Sequence, residues 1–172
     1  MFEITVRECK QDDLPRLIEI WKEQTDIELQ LDERLQSPYY YSTYGGGAYI
    51  GGAISASVNP DVNHTHVVVA LKGEGIVGFL WLFLGGRVDT VPTQAIVREM
   101  AIDSHDGQGG VGTALLDRCM EILREHGITA LTVTAPKHHA VQQAFWRAKG
   151  GRVIQETFYL PVKPSDDESD GS

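Results

Sequence analysis

The run Glu99-Met100-Ala101-Ile102-Asp103-Ser104-His105-Asp106-Gly107-Gln108-Gly109-Gly110-Val111-Gly112-Thr113 decides how this chain is read. A buried-type strand passes into a loop with four glycines among residues 107–112, and the loop opens directly into an amphipathic helix. The first N–H groups of a helix have no intrahelical partner, and the macrodipole places roughly half a positive charge there. Glycines let such a backbone approach an anion with no Cβ in the way. The junction therefore reads as a phosphate site, with a plain flexible turn as the bland alternative.

Working outward, Gly110 to His126 is expected to be a helix about 25 Å long at 1.5 Å per residue. Its inner face holds Val111, Leu115, Leu116, Cys119, Met120, Ile122 and Leu123, its outer face Asp117, Glu121, Arg124 and Glu125, and Gly127 stops it. Ala95 to Asp103 is the strand before the loop. Ile128 to Thr134 is a strand after the helix, His138 to Lys149 a second helix and Arg152 to Val162 a final strand. Upstream, His66 to Leu71 and Ile76 to Leu84 form two strands joined by Lys72-Gly73-Glu74-Gly75. Phe2 to Arg7 alternates as a strand. Asp12 or Asp13 caps a helix with Pro15 near its start and Leu14, Leu17, Ile18 and Trp21 as one apolar stripe. The tyrosines at 39–41 and the glycines at 45–47 and 51–52 fit either a loop or a glycine-rich helix around 43–57.

With 172 residues the chain fits one domain, assigned to residues 1–163, followed by a disordered acidic tail over 164–172. The net charge is −9, from fifteen basic and twenty-four acidic residues. That balance argues against nucleic acid as the main partner, because phosphate contacts along a strand need clustered Lys and Arg. Cys9 and Cys119 lack metal or redox spacing and read as reduced core thiols of a cytoplasmic protein. No apolar run approaches the roughly 18 residues of a membrane span, and the first ten residues lack a signal-peptide apolar block.

Residues 107–112 also match G-x-G-x-x-G formally, but the context is wrong for a dinucleotide fold. Only 60 residues follow the motif, and Thr132 to Pro136 supply no acid at the end of the next strand. A Walker A loop is excluded because no Gly-Lys-Ser/Thr follows. Gly110-Val111-Gly112 with Thr113-Ala114-Leu115-Leu116 instead resembles the end of the signature Q/R-x-x-G-x-G/A and its leucine-rich helix in the GNAT acetyltransferases. Met100 to Asp103 resembles that family's fourth strand, and Val141 to Gly151 its late aromatic helix. The element order over residues 2–162 agrees as well.

The resemblance implies a layered α/β fold, with a mixed central sheet of about six to seven strands flanked by about four helices. It also implies an N-acetyltransferase that moves an acetyl group from acetyl-CoA directly to a primary amine of a small molecule or protein. The fourth and fifth strands would splay apart around the pantetheine arm. Met100, Ala101 and Ile102 would hold that arm, and the amides of Gly107, Gln108, Gly109, Gly110, Val111, Gly112 and Thr113 the pyrophosphate. His139 falls near a cofactor-contacting position. Its alternative role is helix capping, and dimers are common in such proteins. The Q/R position falls on Gly107, with Gln108 one place later. Trp146 stands where many members carry an acidic tyrosine, a role an indole N–H does not fill.

Acyl transfer needs a deprotonated amine, an oxyanion donor and a proton for the thiolate. Glu99, just before the pantetheine strand segment, is the candidate base. Its other reading is an ion pair with Arg98, Arg87 or a lysine. Tyr159 is the candidate acid, against simple packing, and His105 is either a phosphate contact or a solvated loop residue. His64 and His66 read as structural. Cys119 faces the core and argues against a covalent cysteine route. A binding module that holds acyl-CoA without efficient transfer, and a different nucleotide-binding α/β domain, are the competing readings.

Overall fold

The computed structural model describes residues 3–31, 51–52, 54–56, 64–85, 94–105, 109–158 and 160. Among these residues five strands form one sheet in chain order: β1 (Ile4–Glu8), β2 (Thr65–Lys72), β3 (Gly75–Gly85), β4 (Gln94–Ile102) and β5 (Ala130–Val133). The first three pairings are antiparallel and β4 to β5 is parallel. The parallel step follows from the connection, since the helix α2 (Val111–Glu125) carries the chain back between β4 and β5. A helix α1 (Leu14–Leu31) follows a short 3₁₀ turn at Gln11–Asp13, and α3 (Ala140–Ala148) follows β5. Residues 51–52 and 54–56 are also helical, which favours the helix reading for that part of the glycine-rich stretch.

The sheet separates two cores. On one face α2 buries Val111, Leu115, Leu116, Cys119, Ile122 and Leu123 against Val68, Ala70, Leu80, Leu82, Ala95 and Val97. The expected inner face of this helix is thus the observed one, with Met120 partly buried at its margin. On the other face Leu14, Leu17, Ile20 and Trp21 of α1 meet Val67, Val69, Phe79, Ala101 and Ile54. Truncating a fully buried leucine such as Leu17 or Leu115 to alanine would cost about 2–5 kcal/mol.

Two expectations are corrected. Among the described residues the sheet has five strands, fewer than the six to seven anticipated. Arg152 to Val162 is not the final strand: residues 151–158 and 160 form none, and 161–162 lie outside the described residues, as does the tail over 164–172. The apolar character of this stretch was real, but its side chains are not covered. Val153, Ile154, Phe158 and Leu160 are all exposed. An apolar segment can be competent to pair without having a partner to pair with.

Candidate active site

The site begins with an irregularity in β4. The register against β3 runs Trp81↔Glu99 and then Leu82↔Val97, so Arg98 is an extra residue, a β-bulge. The bulge reverses which face successive residues take. Ala95 and Val97 lie under α2, whereas Ala101 lies under α1. Glu99, two residues before Ala101, shares that second face and meets Trp21 of α1.

The bulge also marks where β4 and β5 part. Their pairing covers Gln94↔Ala130 through Val97↔Val133 and stops there. Beyond it a cleft opens, lined by Val97, Arg98, Glu99 and Met100, by Val133 and Thr134 after the partner strand, and by Gln142 and Trp146 of α3. The Asp103 amide donates to Val77 O of β3 at 2.9 Å. Alternation along the strand therefore turns Met100 C=O and Ile102 N–H to the other, unpaired edge. A side-chain carboxamide satisfies both. Gln24 Nε2 donates to Met100 O at 3.3 Å, and Ile102 N donates to Gln24 Oε1 at 3.2 Å.

Glu99 sits above this edge. Trp21 Nε1 donates to its Oε2 at 3.0 Å, in place of the ion pair considered from sequence. Its carboxyl is pushed up to about 7, mainly by burial and then by the nearby charge of Glu28, while the Trp21 and Met100 hydrogen bonds pull the other way. A carboxyl poised near neutrality in a cleft can take a proton from an amine at ordinary pH.

At the far end of β4, Asp103 is buried and pairs with Arg16 of α1. Its carboxylate also accepts the His105 amide at 2.8 Å, which fixes how the chain leaves the strand. His105 itself is exposed, and its Nε2 lies 3.2 Å from Glu23. The N-cap of α2 is Gly110, at φ +90°, a conformation that L side chains rarely adopt. It offers no capping side chain, and the first turn of the helix holds no acid, so the leading amides and the positive end of the dipole stay available to an anion. Gly112 brings this end against the cleft: a Cβ there would lie 3.2 Å from both Ile102 Cδ1 and Phe145 Cε2.

The structure thus gathers Glu99, Met100, Ala101, Ile102 and the amides from Gly109 to Thr113 around one end of β4. Ala101 contributes backbone only, its methyl being fully buried. His139 takes the capping role, its Nδ1 accepting the Gln142 amide at 3.3 Å. Gly107, Gln108 and Tyr159 lie outside the described residues. Cys119 is fully buried and its thiol is pushed up to about 12, so it offers no thiolate nucleophile near neutral pH. Sequence reading missed Gln24, Glu28 and Gln142. The signal was present, because positions 14, 17, 21, 24 and 28 form one helical row that is apolar in its first half and polar in its second.

A model described as the acetyltransferase (GNAT) family matches residues 6–150. No curated protein sequence matches. Among solved structures, a tetramutant of the BH1408 protein from Bacillus halodurans superposes with a TM-score of 0.74 at 15% identity, covering 92% of this chain and 99% of that one. The PaiA N-acetyltransferase of Thermoplasma acidophilum, in complex with coenzyme A, gives 0.70 at 16% identity over 91% and 93% of the two chains. An aminoglycoside acetyltransferase, meta-AAC0020, from an uncultured soil metagenomic sample gives 0.65 at 20% identity over 93% and 97%.

Proposed function

The chain belongs to the GNAT acetyltransferase family, and we propose that it transfers an acetyl group from acetyl-CoA directly to a primary amine of a small molecule or protein. The observation that carries this reading is the parting of β4 from β5 after Val97 and Val133, with Glu99 over the opened edge. Met100 O and Ile102 N already hold one amide, that of Gln24, so the edge has the spacing to hold the amides of a pantetheine arm. The leading amides of α2 bind the diphosphate next to it.

In the reaction, Glu99 accepts a proton from the bound ammonium, directly or through water. The freed nitrogen attacks the thioester carbon, a C–N bond forms and the C–S bond breaks. As the amide forms, the nitrogen sheds its remaining extra proton to water, and the thiolate takes a proton, for which Tyr159 is the candidate donor. The polar edge of β4 serves the carbonyl oxygen as negative charge develops on it. A homodimer belongs to this reading. The exposed Val153, Ile154, Phe158 and Leu160 support it, and sedimentation of the wild-type protein against Phe158→Asp checks it.

Thiol release from acetyl-CoA, followed over a panel of small amines and lysine peptides, tests the activity. Amine-dependent release is expected. CoA binding without release across the panel would contradict transfer and favour a binding module instead. A thermal shift with NAD or ATP but none with CoA would favour a different nucleotide-binding domain.

A further inference from the structure

Helix α1 faces the sheet with Leu14, Leu17, Trp21, Gln24 and Glu28 in one row, and the row changes character where it reaches the unpaired half of β4. Trp21 is buried in the apolar core with Leu14 and Leu17. Gln24 then spans the gap to Met100 O and Ile102 N, a two-point contact of the kind a neighbouring strand's peptide would make. Its Nε2 also donates to Glu28 Oε1 at 3.2 Å, and that same oxygen accepts from Gln142 Nε2 of α3 at 2.7 Å. The two helices are thus tied across the mouth of the cleft through one glutamine and one glutamate.

A primary carboxamide carries the same C=O and N–H chemistry as the secondary amides of pantetheine. Both need the acceptor at Met100 and the donor at Ile102, and both cannot use them together. We propose that Gln24 is a built-in placeholder for the pantetheine arm, and that an acyl-CoA enters by displacing its side chain from β4. This rests on reading the β4 edge as the acyl-CoA site. In the free protein the placeholder keeps the polar groups of Met100 and Ile102 satisfied within the protein. The cost falls on binding. Only the fraction of molecules with Gln24 swung away is competent, so the apparent affinity is lower than the intrinsic one by that fraction.

The test uses Gln24→Leu, similar in size but unable to hydrogen-bond, with two probes: CoA, and 3′-phospho-ADP, which has the phosphates without the arm. Calorimetry should show CoA binding about three- to tenfold tighter in the variant, the scale set by removing competition from one or two hydrogen bonds. The affinity for 3′-phospho-ADP should not move. CoA binding that is unchanged or weaker, with 3′-phospho-ADP unaltered, overturns the placeholder while leaving the acyl-CoA site standing. Failure of wild-type protein to bind either probe overturns both readings. A second measurement needs no variant. In the wild-type protein, the side-chain NH₂ resonances of Gln24 should shift to solvent-like positions on adding CoA and stay put with 3′-phospho-ADP. Resonances indifferent to CoA at saturation would refute the displacement.

Discussion

The two halves of β4 have the same neighbour on one side and different ones on the other. Residues 94–97 lie between β3 and β5, with backbone groups paired on both edges and Ala95 and Val97 sealed beneath α2. Residues 99–102 pair with β3 alone, and a side chain from α1 stands in for the missing strand. One bulged residue, Arg98, separates them. The first half holds the sheet together. The second leaves polar backbone and one raised carboxyl facing a cleft. A strand becomes a site where its second partner stops, because only there does the backbone have bonding capacity to offer a ligand.

This contrast predicts that substitutions in the two halves dissociate stability from activity. The largest effect belongs to Glu99→Gln, which should lower turnover by about 10²–10⁴-fold. It should also abolish the rise of rate with pH around 7, since the rise reports the carboxyl becoming a base. The same change should not weaken the fold. The folded-state carboxyl is raised above its usual value to about 7, so its contribution to stability is present below the unfolded value of 4.5 and lost as pH rises to about 7. Glutamine removes that loss, and the melting temperature of the variant relative to wild type should climb between pH 5 and 8. A falling difference would break the comparison at its centre.

Val97→Ala tests the other half. It removes two methyl groups from a position that is 4% exposed and should cost about 2 kcal/mol by chemical denaturation. The pH midpoint of the remaining activity should stay where it was. A shifted midpoint would mean that the two halves are not separable. The smallest effect is expected from Trp21→Phe. Losing the donor at 3.0 Å removes one interaction that favours the ionised Glu99, so the pH–rate limb should move upward with only a slight loss of stability. A downward move would show that Trp21 does not support the charged form.

Much of this architecture could be read from residues alone, for identifiable reasons. The glycine-rich junction before Val111 combines a strand, a run of glycines and a leucine-rich helix, three local signals that agree. Unbroken apolar runs gave β2 and β3, and Lys72 to Gly75 the hairpin between them. The bulge at Arg98 was not legible, because the adjacent charged pair Arg98-Glu99 interrupts the apolar run without showing which of the two residues is the extra one. Without it, the face on which Glu99 lies could not be assigned. Gln24 and Glu28 were not legible as site residues, because polar side chains late in a helical row look the same whether they face solvent or an unpaired strand. The segment after Gly151 misled for the opposite reason: its apolar residues promised a strand, yet pairing depends on a partner that sequence periodicity does not specify.

The claim on which everything turns is that the unpaired edge of β4 receives the arm of an acyl-CoA, and a crystal structure of the protein with CoA bound addresses it directly. The arm should lie between β4 and β5 with amides bonded to Met100 O and Ile102 N, Gln24 turned away, and the diphosphate on the amides from Gly109 to Thr113. Density for CoA elsewhere, with Gln24 still bonded to Met100 and Ile102, would contradict the account.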